Sequence, residues 1–356
     1  GEGEGWVELE VASETTGECV TASLPVVPGG LTVTVKEVVG AVTLQMTAQA
    51  ATTKYVRREL RALAEDDRAA LLDAMRLLWE VPREEGAARY GGDYRSAADF
   101  LALYARGAGA ADCDHFGQGR GALTQHAALT AVFERALQAV DPALALPYWD
   151  FFADAQAAEA RGQKVQTFVD SEVFSAEYFG TTDPQTGYIM DGRWSNITVP
   201  TFDSLPSYLK GPEATAERSL PTNPYGFVRS PWAASADPRP RRFAAACGAA
   251  AATAGAAPPD CAALAGLMAL DSAGAFLWEL GGSDGVHALS HLFVGGSAAD
   301  GCAAAYDGLL GHLDADAVGA LRARAHLYAQ RAYRAGYLAC DAAAAAGAGG
   351  AAGAGA

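Results

Sequence analysis

The sequence predicts a mainly α-helical fold with long irregular loops and a small β-rich region at its N-terminus. Three observations carry that prediction. After Tyr55, apolar residues recur at three- and four-residue steps through several segments, the period of a helix that buries one face. Residues 6–48 instead alternate Val, Leu and Thr with polar residues, as in WVELEVAS and GGLTVTVKEVVGAVTLQM, the period of a half-exposed strand. Between 151 and 260 the chain is rich in Pro, Gly, Asp and aromatic residues, as functional loops and linkers are.

Each helical element has its own signal. The stretch YVRRELRALAEDDRAALLDAMRLLWEV, from Tyr55, sets Leu60, Leu63, Leu71, Met75 and Leu78 on helical spacing with charges between them, and predicts a pair of helices. AADFLALYARGAGA predicts a further helix, and HAALTAVFERALQAVD another, stopped by Asp141-Pro142. The pattern resumes at CAALAGLMAL, runs through DGVHALSHLFVGG and ends in DADAVGALRARAHLYAQRAYRAGYLA. The closing AAAAAGAGGAAGAGA is low-complexity and is expected to stay unfolded. The chain therefore divides into a β-rich extension (1–54), a helical domain (55–340) and an Ala/Gly tail (341–356).

Composition narrows the function. A formal charge of -16 over 356 residues excludes nucleic acid as a partner, since phosphates are bound by basic surfaces. No uncharged apolar run reaches the length of a transmembrane helix. Six cysteines, at 19, 113, 247, 261, 302 and 340, include no C-x-x-C pair, so structural zinc spacing is missing and disulfides are expected. Cys247 and Cys261 flank an Ala/Pro loop, and Cys302 and Cys340 flank the last helical segments, which suggests two sequence-local pairings. With the Asn196-Ile197-Thr198 glycosylation acceptor, they point to a secreted protein or an organelle lumen.

The chemistry-bearing residues are the histidines. DCDHFGQGRGALTQH, residues 112–126, holds Cys113, His115 and His126 within fifteen positions. His126 shares a helix with the apolar stripe Leu129, Phe133, Leu137 and Val140, so its ring faces the bundle interior. His287 and His291 are four apart and project the same way from one helix. Ala288 follows the first of them, so the glutamate base of a zinc protease is missing. His312 lies twenty-one residues further on. Histidines brought by separate helices into one core build metal sites, with imidazole suiting copper, iron or zinc; buried structural histidines are the alternative.

These residues resemble a family, the type 3 copper proteins: tyrosinases, catechol oxidases and haemocyanins. The resemblance is most specific in ALTQHAALTAVFERALQAVDPALALPYWDFF, residues 122–152, beside the family's FERAL..VDP...LPYWDW helix and turn. SEVFSAEYFG, GYIMDGRW and NPYGFVRSPW are similar to its central loop, HALSHLFVGG to its HNxVHxxVGG, and YDGLLGHLDAD to its DPxFxxHHxxxD. It covers roughly residues 55–335.

The resemblance implies a four-helix-bundle core that holds up to two copper ions. His115 and His126 would serve the first ion, and His287, His291 and His312 the second. Cys113-Asp114-His115 is similar to a family Cys-x-His in which the sulfur is bonded to the imidazole; a plain thiol or a disulfide with Cys19 is the alternative. Glu279, eight residues before His287, would be the Glu that, with an Asn replaced here by Ala288, holds a water that deprotonates a monophenol. His326 lies outside the family motifs and is read as structural.

The pattern breaks at the first copper. The family has a histidine in a segment like DDFVALHA, and here ADFLALYARG puts Tyr104 in its place, while no histidine precedes position 115. A neutral phenol is a poor copper ligand, so this site is expected to be weak, altered or empty. Gln125, Ala127, Ala288 and Gly308 also depart from the family residues. Three functions then compete. One is an oxidase that converts o-diphenols to o-quinones with dioxygen. Another is a catalytically degenerate structural or interaction subunit that meets a protein partner through its N-terminal region. The third is a dioxygen carrier.

Overall fold

The computed structural model describes residues 31–39, 42–51, 55–110, 113–117, 121–162, 168–210, 220–231, 233, 235–243, 258–281, 286–295 and 332–335. The chain forms two compact units, Gly1–Val56 and Arg57–Ala356. His312, His326, Cys19, Cys247, Cys302, Cys340 and the Ala/Gly tail lie outside the described residues.

In the first unit, β1 (Leu31–Val39) and β2 (Val42–Ala51) pair antiparallel, with Val35 opposite Met46 and Val39 opposite Val42. The register slips between Leu31 and Val33. Val and Thr at alternate positions suit this pleated geometry. Residues 1–30 of the expected β-rich region fall outside the described residues.

The second unit is mainly α-helical, and its helices pack as in a bundle. Only one member of the helix pair expected from Tyr55 onwards forms. Leu60–Ala62 is a single 3-10 turn, because the flanking backbone finds its partners elsewhere: Leu60 N–H donates to Tyr148 O at 2.8 Å and Tyr148 N–H to Arg58 O at 2.9 Å. Helix α1 (Glu65–Glu80) follows, its first turn carrying Glu65, Asp66 and Asp67 against the positive end of the helix dipole. Helix α2 (Arg83–Tyr90) starts after Pro82 and stops at Gly91, whose φ of 96° suits a glycine. Helix α3 (Ala97–Ala108) is capped by Asp99, which accepts from the Ser96 N–H at 2.9 Å and the Ser96 hydroxyl at 2.8 Å.

Helix α4 (Gly121–Val140) buries Ala136 and Leu137 against Leu71, Ala74 and Leu78 of α1. Phe100 of α3 meets Phe133 of α4 edge-on, with ring centroids 5.1 Å apart. Tyr94 is fully buried in the same core. Its hydroxyl donates to Val81 O at 2.8 Å, and its ring lies over Gly86, where a Cβ would stand 1.9 Å from it.

Beyond α4 the LPYWDFF motif leads into α5 (Phe151–Ala160). Asp154 of α5 accepts from Trp149 Nε1 at 2.7 Å and Ser171 Oγ at 2.7 Å, and pairs with the Arg61 guanidinium. The Trp149 ring packs edge-on against Phe151, Phe168 and Phe174.

The irregular stretch after α5 is ordered by side chains that satisfy backbone. Asn223, in the NPYGF motif, is buried and makes four such bonds. Its amide donates to Ala233 O and Ser235 O, and its carbonyl accepts from the N–H groups of Tyr225 and Phe227. Further along, Tyr188 and Arg241 both donate to Asp237. Burial opposes ionisation of that carboxyl, yet bonds from Tyr188, the Arg239 N–H and Arg241 hold it down at about 2.

Because this folded value lies below the ordinary carboxylate range, Asp237 stabilises the fold above the unfolded value. That contribution is lost as pH falls through about 2. Urea unfolding followed from neutral pH down to the acid limb is therefore expected to be less pH-dependent in Asp237→Asn than in the parent. Equal slopes would show that the carboxylate contributes nothing.

Short helix α6 (Ser207–Lys210) packs Leu209 with Ala102 of α3. Helices α7 (Cys261–Met268), α8 (Ala273–Gly281) and α9 (Val286–Gly295) follow, α7 capped by Asp260, which accepts from Ala263 N–H at 2.8 Å. Phe293 of α9 is fully buried with Ala155 and Phe168, and its carbonyl accepts from Phe168 N–H at 3.1 Å. That anchor fixes α9 against α5 and sets the direction of its histidines. No helix among the described residues is long and apolar enough to cross a membrane.

Candidate functional site

The site is built where α3, the turn 113–117, α4 and α9 approach one another. Asp114 folds the turn by accepting from the N–H groups of Phe116 (2.9 Å) and Gly117 (2.6 Å), a short-range Asx bond. His115 N–H donates to Gly107 O at 3.1 Å, tying the turn to the end of α3. Phe116 is thereby buried over Gly107, where a Cβ would stand 2.5 Å from its ring. Gly107 thus permits the close approach of turn and helix.

From α3 onwards the rings form a chain. Tyr104 lies 4.9 Å from Phe116 and 6.2 Å from His126, centroid to centroid, and Phe116 meets His126 at 5.6 Å. His126 meets His287 edge-on at 5.4 Å, and His287 meets His291 at 4.8 Å. The helical spacing of the last two is realised, with their Nε2 atoms 3.0 Å apart. One ring donates its Nε2–H and the other accepts. His115 is exposed at the turn, and His126 is half-buried midway along α4's N-terminal half.

Electrostatics disfavour protonation of His287 and His291. Burial, then the neighbouring His291 and His126, hold His287 down at about 4, with Asp114 opposing. His291 keeps an exposed edge, yet desolvation and His126 push it down as well. Tyr104 is half-buried, and desolvation followed by the charge of Asp114 raises its phenol above the ordinary tyrosine value.

The family model described as "Common central domain of tyrosinase" matches residues 108–310, more than half of the chain. The chain belongs to the tyrosinase family. A tyrosinase of Streptomyces glaucescens is 34% identical over 95 residues, which is 25% of this chain and 30% of that protein. The match thus spans less than a third of the relative's length. His115, His126, His287 and His291 lie inside the span matched by the family model; Tyr104 precedes it and His312 follows it.

Membership of the tyrosinase family implies copper, and the described residues do not fit a copper pair. The Nδ1 of His126 is buried without a hydrogen-bond partner, as an atom awaiting an ion or donor would be. Around it, however, no group of three or more His, Cys, Asp or Glu among the described residues is arranged to hold a metal ion. The expected metal-binding copper centre is corrected accordingly. The physical reason is visible in the rings: His287 and His291 satisfy each other, His115 sits exposed on its turn, and Tyr104 and Phe116 fill the remaining side of His126.

The expected disulfides are corrected too. Cys261 is a free thiol whose Sγ donates to Gln156 Oε1 at 3.1 Å, so it is not bridged to Cys247. Cys113 is a free, exposed thiol and is not bridged to Cys19. Glu279 is exposed on α8, and none of the described ring contacts or hydrogen bonds at the histidines includes it.

Sequence reading overlooked Phe116 and Asp114, which wedge the site and shift its charge balance. The Asp-x-Phe-Gly turn was a signal for the second, and nothing in periodicity marks the first. Also missed was the C-terminal contribution. Tyr333 Oη donates to Gly109 O at 3.3 Å, and Arg334 donates to Ala108 O at 3.2 Å and pairs with Asp114 at 3.8 Å.

Proposed function

We propose that this chain is a catalytically degenerate tyrosinase-fold protein that serves as a structural or interaction subunit of a larger assembly. The observation that carries the proposal is Tyr104, a half-buried phenol packed on Phe116 and His126 where the family has an imidazole. A fold does not carry its chemistry once the site residues change.

Two surface features support an interaction role. Trp278 is 78% exposed on α8, with Met268 and Leu270 exposed just before it, a costly arrangement for a side chain without a partner. In the N-terminal unit, the described sheet has only two strands, and such a sheet is marginally stable in water unless something packs on it or adds to its edge. Residues 1–54 are the element we assign to that partner. The exposed Asn196 acceptor, in a left-handed turn with φ 63°, supports a secreted or lumenal location.

The oxidase reading rests on the run of rings from His126 to His291. Against it stand Tyr104, Ala288 in place of the family's Asn, and the exposed position of Glu279. The deciding experiment dialyses the full chain against copper, measures copper per chain, and follows dioxygen uptake with catechol. The expected result is less than one tightly held copper per chain and no uptake above that of free copper. Two coppers per chain with catechol turnover would overturn the proposal.

A further inference from the structure

Asp170, Glu172, Phe174, Thr182 and Pro184 help to line an open pocket of about 360 Å³ that shares no residue with the histidine cluster. The volume is in the range of small-ligand sites. Arg242 lines it and is only 8% exposed. Its Nη2 donates to the carbonyls of Phe179 (3.0 Å) and Gly180 (2.6 Å), and its guanidinium lies over the Phe174 ring at 4.2 Å. Its Nε and Nη1 are buried with no hydrogen-bond partner. In the same wall Thr182 Oγ1 is also buried and unpartnered.

A buried cation with several of its five N–H donors unused is costly unless an acceptor is supplied. Burial lowers Arg242 to about 10, with the charge of Asp191 opposing, so it remains charged at neutral pH. With Nη2 engaged by two carbonyls, the free Nε–H and Nη1–H groups lie on different edges of the guanidinium, so one of them, together with the Thr182 hydroxyl, is the donor set for the two oxygens of a single carboxylate. The rim carries the opposite charge. Asp170 and Glu172 line the cavity and are exposed, whereas the Asp183 carboxylate is already engaged by the N–H groups of Gln185 and Thr186. Such a rim repels a simple polyanion and attracts an ammonium group.

We propose that this cavity binds a small zwitterion of the amino-acid class with an apolar side chain. The carboxylate sits at Arg242 and Thr182, the ammonium group faces Asp170 and Glu172, and the apolar part lies along Phe174 and Pro184. The proposal is independent of whether the histidine cluster takes copper.

Calorimetric titration of the full chain with L-leucine, isovalerate (no ammonium group) and isoamylamine (no carboxylate) tests it. Leucine is expected to bind roughly ten-fold more tightly than either fragment. The double variant Asp170→Asn/Glu172→Gln, at two exposed positions, is expected to remove the advantage of leucine over isovalerate while leaving isovalerate binding unchanged. Arg242→Lys is expected to weaken both carboxylates. Equal binding of leucine and isovalerate to the parent chain, or no binding of leucine up to its solubility limit, overturns the proposal.

Discussion

Replacing Tyr94 by Ala is expected to destabilise the helical unit by about 3–5 kcal/mol, the range for removing a large buried ring. Tyr94 is fully buried among Leu71, Leu78 and Leu137. Its ring fills the space over Gly86, which a side chain there could not share. Its hydroxyl also closes the end of α1 by donating to Val81 O. The two contributions are separable. Tyr94→Phe keeps the packing and is expected to cost about 1 kcal/mol, the net value of one hydrogen bond. Denaturant unfolding measures both; a Phe variant as unstable as the Ala variant would mean that the ring's packing contributes little.

The second large effect is expected at Asp154. Its carboxylate joins Arg61 before α1, Trp149 before α5 and Ser171 after it, so three separate segments meet on one side chain. Asp154→Ala would leave the Trp149 indole N–H and the Ser171 hydroxyl without their acceptor. Arg61 would retain Glu59, at 2.8 Å, and the Asp150 carbonyl, at 3.3 Å. Because the pair is about four-fifths buried, a loss of roughly 3 kcal/mol is expected, at the lower end for breaking a buried ion pair. Asp154→Asn preserves the shape and one acceptor, and should lose about half as much. If the two variants unfold at the same denaturant concentration, the negative charge is what matters at this position.

These two residues also show how unevenly the sequence exposes its physics. Helical period located α1, α3, α4 and α9, because burying one face of a helix leaves a repeating trace. The same period misled at 55–64, where Tyr148, distant in sequence, captures the backbone of Arg58 and Leu60. Asp154 and Arg242 carry no local pattern, since their partners come from segments that only the fold brings together. At the histidines, spacing gave the mutual contact of His287 and His291. Resemblance supplied Tyr104 as the departure. Neither could tell that Phe116 would pack against both Tyr104 and His126, nor that Cys261 would donate its thiol to Gln156.

Arg334 and Tyr333 bear on how far the chain can be shortened. The last turn of α3 leaves carbonyls without helical partners, and two of its acceptors, Ala108 O and Gly109 O, are reached from more than two hundred residues away. The same arginine pairs with Asp114, which folds the turn carrying His115 and Phe116. The C-terminal segment is thus a clasp on the tyrosine and histidine rings. A fragment cut before residue 333 would lose the clasp and present an altered site, even with every residue matched by the family model still in place.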